Sequence, residues 1–122
     1  MTPQEIFTAA YTAVLEQGAP ATKPGGLCAY HVPVTGNRCA VGLLLSEDQA
    51  KAWAKRGVGG LARISLHALP SDLVPEGFFG NEQLLIEIQN AHDEASLGIF
   101  VKEFRVLMAR VAKKFGLEVP PA

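Results

Sequence analysis

The residues with the most chemical potential are two cysteines, Cys28 and Cys39, three histidines, His31, His67 and His92, and the carboxylate of Asp93 beside the last of them. A cysteine and a histidine can act as nucleophile and base, with a carboxylate orienting the imidazole. Cys39, His92 and Asp93 are the candidates for those three roles. Their spacing works against them. His92 and Asp93 are neighbours in a helical pattern, where adjacent side chains diverge by about 100°, so Asp93 is not expected to face the ring. His92 also falls on the apolar stripe of Leu85, Ile88 and Ala95. A hydrogen-bonded place in the core is the commoner reason for such a histidine. Cys39 lies in an apolar run, where cysteine packs as a small hydrophobe. No catalytic residue is assigned on this pattern.

Metal binding meets a similar obstacle. The cysteines and histidines supply enough donor atoms, but no pair has the spacing of a zinc knuckle or finger. Cys28 and His31, three apart on an extended run, point to opposite faces. Nucleotide binding would want glycines between a strand and a helix start. Gly25-Gly26 precedes a strand-like run, and Gly59-Gly60 is not followed by Lys-Ser or Lys-Thr. Both pairs read as turns, and no metal or cofactor is expected.

The element that must position these groups is Leu27–Leu45. Two apolar runs, Leu27 to Val34 and Arg38 to Leu45, flank Thr35-Gly36-Asn37. Gly-Asn between such runs signals a two-residue hairpin turn. The implied register pairs Val34 with Cys39, Val32 with Val41 and Tyr30 with Leu43. Cys28 and Cys39 are then roughly 20 Å apart at ~3.3 Å per residue, whereas a disulfide needs Cα atoms within about 7 Å. Both cysteines are expected as thiols.

Helical patterns surround this hairpin. Thr2-Pro3-Gln4-Glu5 is a capping box with proline at the first helical position, opening a helix that Gly18 ends. Ser46-Glu47-Asp48-Gln49 opens a second, through Arg56, with Gly57 as its stop. Leu61–Leu69 could form a short third helix. Asn81 is placed to cap a helix with the buried stripe Leu84, Leu85, Ile88, Ala91, His92 and Ala95. The last helix runs from about Leu97 to Phe115 on Phe100, Phe104, Leu107, Met108, Val111 and Phe115, with Gly116 as its cap and Leu117 as the hydrophobic closure. The fold class expected is α+β: a two-stranded antiparallel hairpin, with room for a third short strand, against three long and one or two short helices. Residues 1–122 make one domain with a loose tail at 118–122.

With 122 residues, 48% hydrophobic and 19% charged, the composition is that of a globular chain, not a disordered one. A net charge of −1 gives no global pull toward nucleic acid or anionic membrane. The start MTPQEIF lacks a basic region followed by an apolar one, so no secretory leader is expected. No apolar run nears the ~18 residues of a membrane span. A cytoplasmic setting follows, which also suits two unpaired cysteines.

Two regions are candidates for partner binding. Phe78 and Phe79 sit in the irregular segment 71–80 between Gly77 and Gly80; neighbours on an extended backbone point apart, so one ring should anchor the segment while the other stays partly exposed. The last helix carries Lys102, Arg105, Arg110, Lys113 and Lys114 against the single acid Glu103 between Ile99 and Leu117. Such a helix could rest on phosphates, although the same spacing serves an ordinary solvated face.

The start MTPQEIF, the pattern Cys-x-Tyr…Gly-x-x-Cys-Ala-Val-Gly (Cys28, Tyr30, Gly36, Cys39, Ala40, Val41, Gly42), then Leu84-Leu85, His92-Asp93 and Phe115-Gly116-Leu117, resemble the small uncharacterised proteins of phages, prophages and neighbouring mobile elements. Where that family pattern has a basic residue after the tyrosine, His31 stands here. The resemblance covers most of the chain and implies a setting, a bacterial host cell, without a mechanism. The function expected is that of a small non-enzymatic interaction protein that binds and modulates a host protein or complex. The alternatives are a cysteine- or histidine-dependent enzyme and a nucleic-acid-binding accessory protein using the basic last helix.

Overall fold

The computed structural model describes residues 2–20, 22–23, 27–28, 37–55, 69–95 and 99–121, with backbone alone at 22–23 and 27–28. Among the described residues there are five α-helices: α1 (Pro3–Gln17), α2 (Ala40–Leu44), α3 (Glu47–Lys55), α4 (Glu82–Glu94) and α5 (Phe100–Phe115). The single-turn helices Ser71–Leu73 and Glu76–Phe78 precede α4.

The α+β expectation is overturned: the fold is helical, and the predicted hairpin is not formed. Its second run is α2, with Cys39 at the helix N-cap. Of the first run only Leu27–Cys28 is among the described residues, and it pairs backward instead of forward. β1 (Thr22–Lys23) and β2 (Leu27–Cys28) are antiparallel, with Thr22 opposite Cys28 and Lys23 opposite Leu27. Four residues of ladder cannot form a sheet layer. Periodicity alone cannot separate a short buried strand from a short buried helix. Here the composition favours the helix: Ala-Val-Gly-Leu-Leu has one β-branched residue, and the small Ala40 and Gly42 let neighbouring helices come close. A helix apolar all round is a buried one. Ala40, Val41 and Gly42 are buried, and α2 packs between α1 and α4. Tyr30, His31 and the Thr35-Gly36 part of the turn lie outside the described residues, as do Arg56, Gly57, Gly59-Gly60, Leu61–Ala68 and Leu97.

α1 starts and stops at the expected residues. Thr2 Oγ1 accepts from the Glu5 N–H at 3.1 Å and Glu5 Oε1 accepts from the Thr2 N–H at 2.8 Å. Gly18 closes the helix at φ 70°, a left-handed conformation that costs a residue with a Cβ. Ile6, Phe7, Ala10, Tyr11 and Val14 are buried. α5 likewise buries Phe100, Phe104, Met108, Val111 and Ala112. The Leu117 N–H returns to the Ala112 carbonyl at 2.8 Å, the six-to-one bond of a Schellman closure.

One run of rings ties three helices together. Phe7 stacks on Tyr11 at 6.0 Å between centroids, Tyr11 on Phe104 at 6.3 Å, and Phe104 on Phe100 at 5.7 Å. His92 of α4 meets Phe100 edge-on at 5.6 Å. A second, smaller cluster holds α3. Trp53 donates from Nε1 to the Leu73 carbonyl at 2.7 Å and meets Phe78 edge-to-face at 6.3 Å. The Ser46–Gln49 capping box forms as expected, whereas Asn81 does not cap α4 through its side chain. Its Nδ2 donates back to the Gly77 carbonyl at 2.9 Å instead. The tail is attached, not loose, as far as Glu118. The Gln4 side-chain amide donates to the Glu118 carbonyl at 2.9 Å and accepts from its N–H at 2.8 Å.

The capping box sets a stability prediction. Thr2→Ala should lower stability by about 0.5–2 kcal/mol in urea unfolding at neutral pH. The Thr2 N–H also holds the Glu5 carboxyl below the usual carboxylate range. A depressed folded pKa stabilises the fold above the unfolded pKa of about 4.3 and loses that contribution as pH falls through the folded value. Glu5→Gln should therefore make stability less sensitive to acidification below about pH 5, with unchanged sensitivity contradicting the capping role.

Candidate functional site

α4 places three polar side chains on neighbouring rows. Gln89 is three residues before His92 and four before Asp93, the two spacings that bring helical side chains together. The Gln89 Oε1 accepts from the Val41 N–H at 3.0 Å. Val41 is the second residue of α2, and its N–H is one of the first-turn donors that a helix cannot satisfy internally. Cys39, at the N-cap, makes no side-chain capping bond. Gln89 thus caps α2 from a different helix.

That bond orients the rest of the cluster. With Oε1 turned to Val41, Nε2 faces α4 and donates to Asp93 Oδ1 at 2.9 Å. His92 Nδ1 stands 2.8 Å from the same oxygen. An ionised carboxylate only accepts, so Nδ1 carries the proton and donates to Asp93. The 3.4 Å approach of Gln89 Nε2 to Nδ1 is then a contact of two donors. The expectation that His92 and Asp93 diverge is corrected. Nδ1 is the ring nitrogen nearest the backbone, and a short aspartate curls back to reach it across adjacent positions.

A carboxylate that fixes an imidazole tautomer is the orienting half of a nucleophile–base pair. Here it faces inward. The His92 side chain is 0% exposed and that of Asp93 is 30% exposed. Cys39 is buried and is not part of a disulfide. No buried side-chain nitrogen or oxygen among the described residues lacks a hydrogen-bond partner. The cluster is a satisfied internal network that joins α4 to α2, with the His92 ring fully buried. Among the described residues no group of three or more His, Cys, Asp or Glu side chains could hold a metal ion. The side chain of Cys28 and all of His31 and His67 lie outside the described residues.

The partner-binding candidates separate. Phe78 is buried against Trp53 and is withdrawn as a contact residue, while Phe79 is half-buried. Lys102, Arg105 and Arg110 are all exposed, but on two sides of α5. Lys102 and Arg110 border an open groove of about 280 Å³ with Ile99, Glu103, Val106 and Leu107. Arg105 faces Tyr11, Leu15 and the tail residues Pro120 and Pro121. Two residues that the sequence reading passed over complete the surface: Ile99 is 53% exposed and Val106 is 50% exposed. Both are apolar, two helical turns apart, and off the Phe104–Met108 stripe. That displacement was the available signal. Behind them, Lys114 pairs with Glu87 of α4, and this bond holds the Glu87 carboxyl below its usual range.

No family model matches the chain, and no curated protein or solved structure is significantly similar to it.

The network makes a graded prediction. Gln89→Leu strands the buried Val41 N–H and His92→Ala empties a fully buried site beside Phe100, so each should cost about 1–3 kcal/mol. Asp93→Ala should cost less, because water reaches its position. Urea unfolding of the three variants checks the order; a His92→Ala protein as stable as the parent would contradict the structural role.

Proposed function

We propose that the protein is a small interaction factor that docks on a partner protein through the outer face of α5. The observation that carries this reading is the pair Ile99, the N-cap residue of α5, and Val106, on the side of α5 turned away from its core stripe: large aliphatic side chains left half-open that line one groove. Both residues open on the same side, seven positions apart, the reach over which helix-in-groove recognition places its apolar anchors. The inward-facing His92 supports the same reading from the other direction, since a base sealed under α4 and α5 cannot meet a substrate. The proposed setting is a bacterial host cell carrying a phage or mobile element, on the resemblance described above, with a host protein or complex as the partner. Among the described residues no helix is long and apolar enough to cross a membrane. A second reading, nucleic-acid binding, is favoured by the five basic residues of α5 and calls for nuclease-sensitive recovery of the partner.

The test compares tagged parent protein with Val106→Asp in recovery from a bacterial lysate, with and without nuclease. The expected result is one stoichiometric protein, insensitive to nuclease and lost with the variant. Truncating an anchor costs about 2 kcal/mol, roughly thirtyfold in affinity. Val106→Asp should keep the parent's melting temperature because the side chain is outside the core. Recovery that survives Val106→Asp contradicts the assignment of this face.

A further inference from the structure

We infer that the element received by α5 is an acidic amphipathic helix of the partner protein. This rests on the docking reading above and adds the chemistry of the occupant. The groove runs from Ile99 to Arg110, about 16 Å at 1.5 Å per residue, which is three turns of a second helix. Its floor is aliphatic, from Ile99, Val106 and the half-buried Leu107. Its borders are basic at both ends, Lys102 near the start and Arg110 near the finish, with Glu103 the one acid between them. Lys113, one turn beyond Arg110, is exposed as well. A helix with an apolar stripe meets the floor, and carboxylates beside that stripe meet the borders.

Charge and apolar area together select this occupant over three others. The groove face carries Lys102, Arg110 and Lys113 against Glu103, a net of +2, because Arg105 lies on the other side of α5 and Lys114 is paired with Glu87. A second copy laid α5 against α5 would bring two such surfaces together, and like charges across an interface disfavour it. A nucleic-acid backbone would suit the charge but offers nothing apolar to Ile99 and Val106. A membrane surface needs a broad apolar helix face, and that face of α5 is already buried through Phe104, Met108 and Val111.

The experiment uses the full chain and two fluorescein-labelled peptides held helical by a side-chain cross-link. Both carry leucines at i, i+3, i+4 and i+7; one has glutamates beside the stripe and the other lysines at the same positions. Fluorescence anisotropy should show the glutamate peptide binding at least about tenfold more tightly, with affinity falling as salt rises. Val106→Asp should abolish binding without changing the melting temperature, and Ile99→Asp should abolish it independently while keeping or raising the melting temperature, since Asp is favoured at the N-cap of α5. The double variant Lys102→Glu/Arg110→Glu should reverse the preference and take the lysine peptide. Equal binding of both peptides, sensitive to Val106→Asp, would leave docking on α5 standing and overturn the acidic partner. No binding of either, or binding indifferent to Val106→Asp, would overturn both. Capture of duplex DNA or anionic phosphatidylserine vesicles in place of the peptides, or a concentration-dependent dimer lost in Val106→Asp, would assign the face to another occupant and overturn the inference.

Discussion

The structure depends on one hydrogen bond between helices, from the Val41 N–H of α2 to the Gln89 side chain of α4. α2 has five residues, too few to be stable alone, since isolated helices shorter than ~12–15 residues are marginal in water. It has no polar side chain of its own, so its exposed N-terminal donors must find partners elsewhere or remain buried and unpaired. An unpaired buried donor costs more than a made bond contributes. Gln89 meets that need and fixes where α2 sits on α4. In turn its amide is held by Asp93, and Asp93 by the His92 ring. The chain of constraint continues through Phe100 to Phe104 and Tyr11, so that a polar network joining α2 to α4 and a run of rings joining α4, α5 and α1 meet at His92.

That arrangement decides what the molecule presents to its surroundings. The groups most capable of covalent chemistry among the described residues, Cys39 and His92, are used to build the interior. The surface left over is the back of α5, which combines aliphatic and basic side chains without covering them. Interaction energy is concentrated where a large apolar side chain can be fully dried by a partner; on the proposed reading Ile99 and Val106 would supply that, and Lys102 and Arg110 would set orientation and encounter rate. On the proposed reading, docking and stability fall on opposite faces of α5.

Much of this was legible in the residues. α1 and α5 are long, strongly periodic and bounded by explicit signals: the Thr2–Glu5 box, Gly18, Gly116 and Leu117. α4 was legible for the same reason apart from its start, where Asn81 bonds backward to Gly77 and leaves the cap unmade. The central stretch was misread. Cys39–Leu45 is apolar at nearly every position, so neither the period of two nor that of 3.6 shows, and the Gly-Asn pair decided the reading in favour of a hairpin. The Gln89 cap was invisible for a different reason. A glutamine inside an apolar stripe has meaning only when the helix it reaches is known, and that helix had been read as a strand. The contact between His92 and Asp93 was missed by treating side chains as rigid spokes. Ile99 and Val106 were in view throughout, but an exposed aliphatic residue is ordinary taken singly and informative only as a pair on one face.

The central claim, that Gln89 caps α2, is tested most directly by hydrogen exchange at the Val41 amide. The account predicts strong protection, approaching that of the buried amides of α4 and α5, because opening this bond requires α2 to leave α4. In a Gln89→Leu protein that remains folded, the protection should collapse at Val41 while α5 retains its own. A Val41 amide that exchanges as fast as one exposed to solvent, or one equally protected with and without Gln89, would contradict the account.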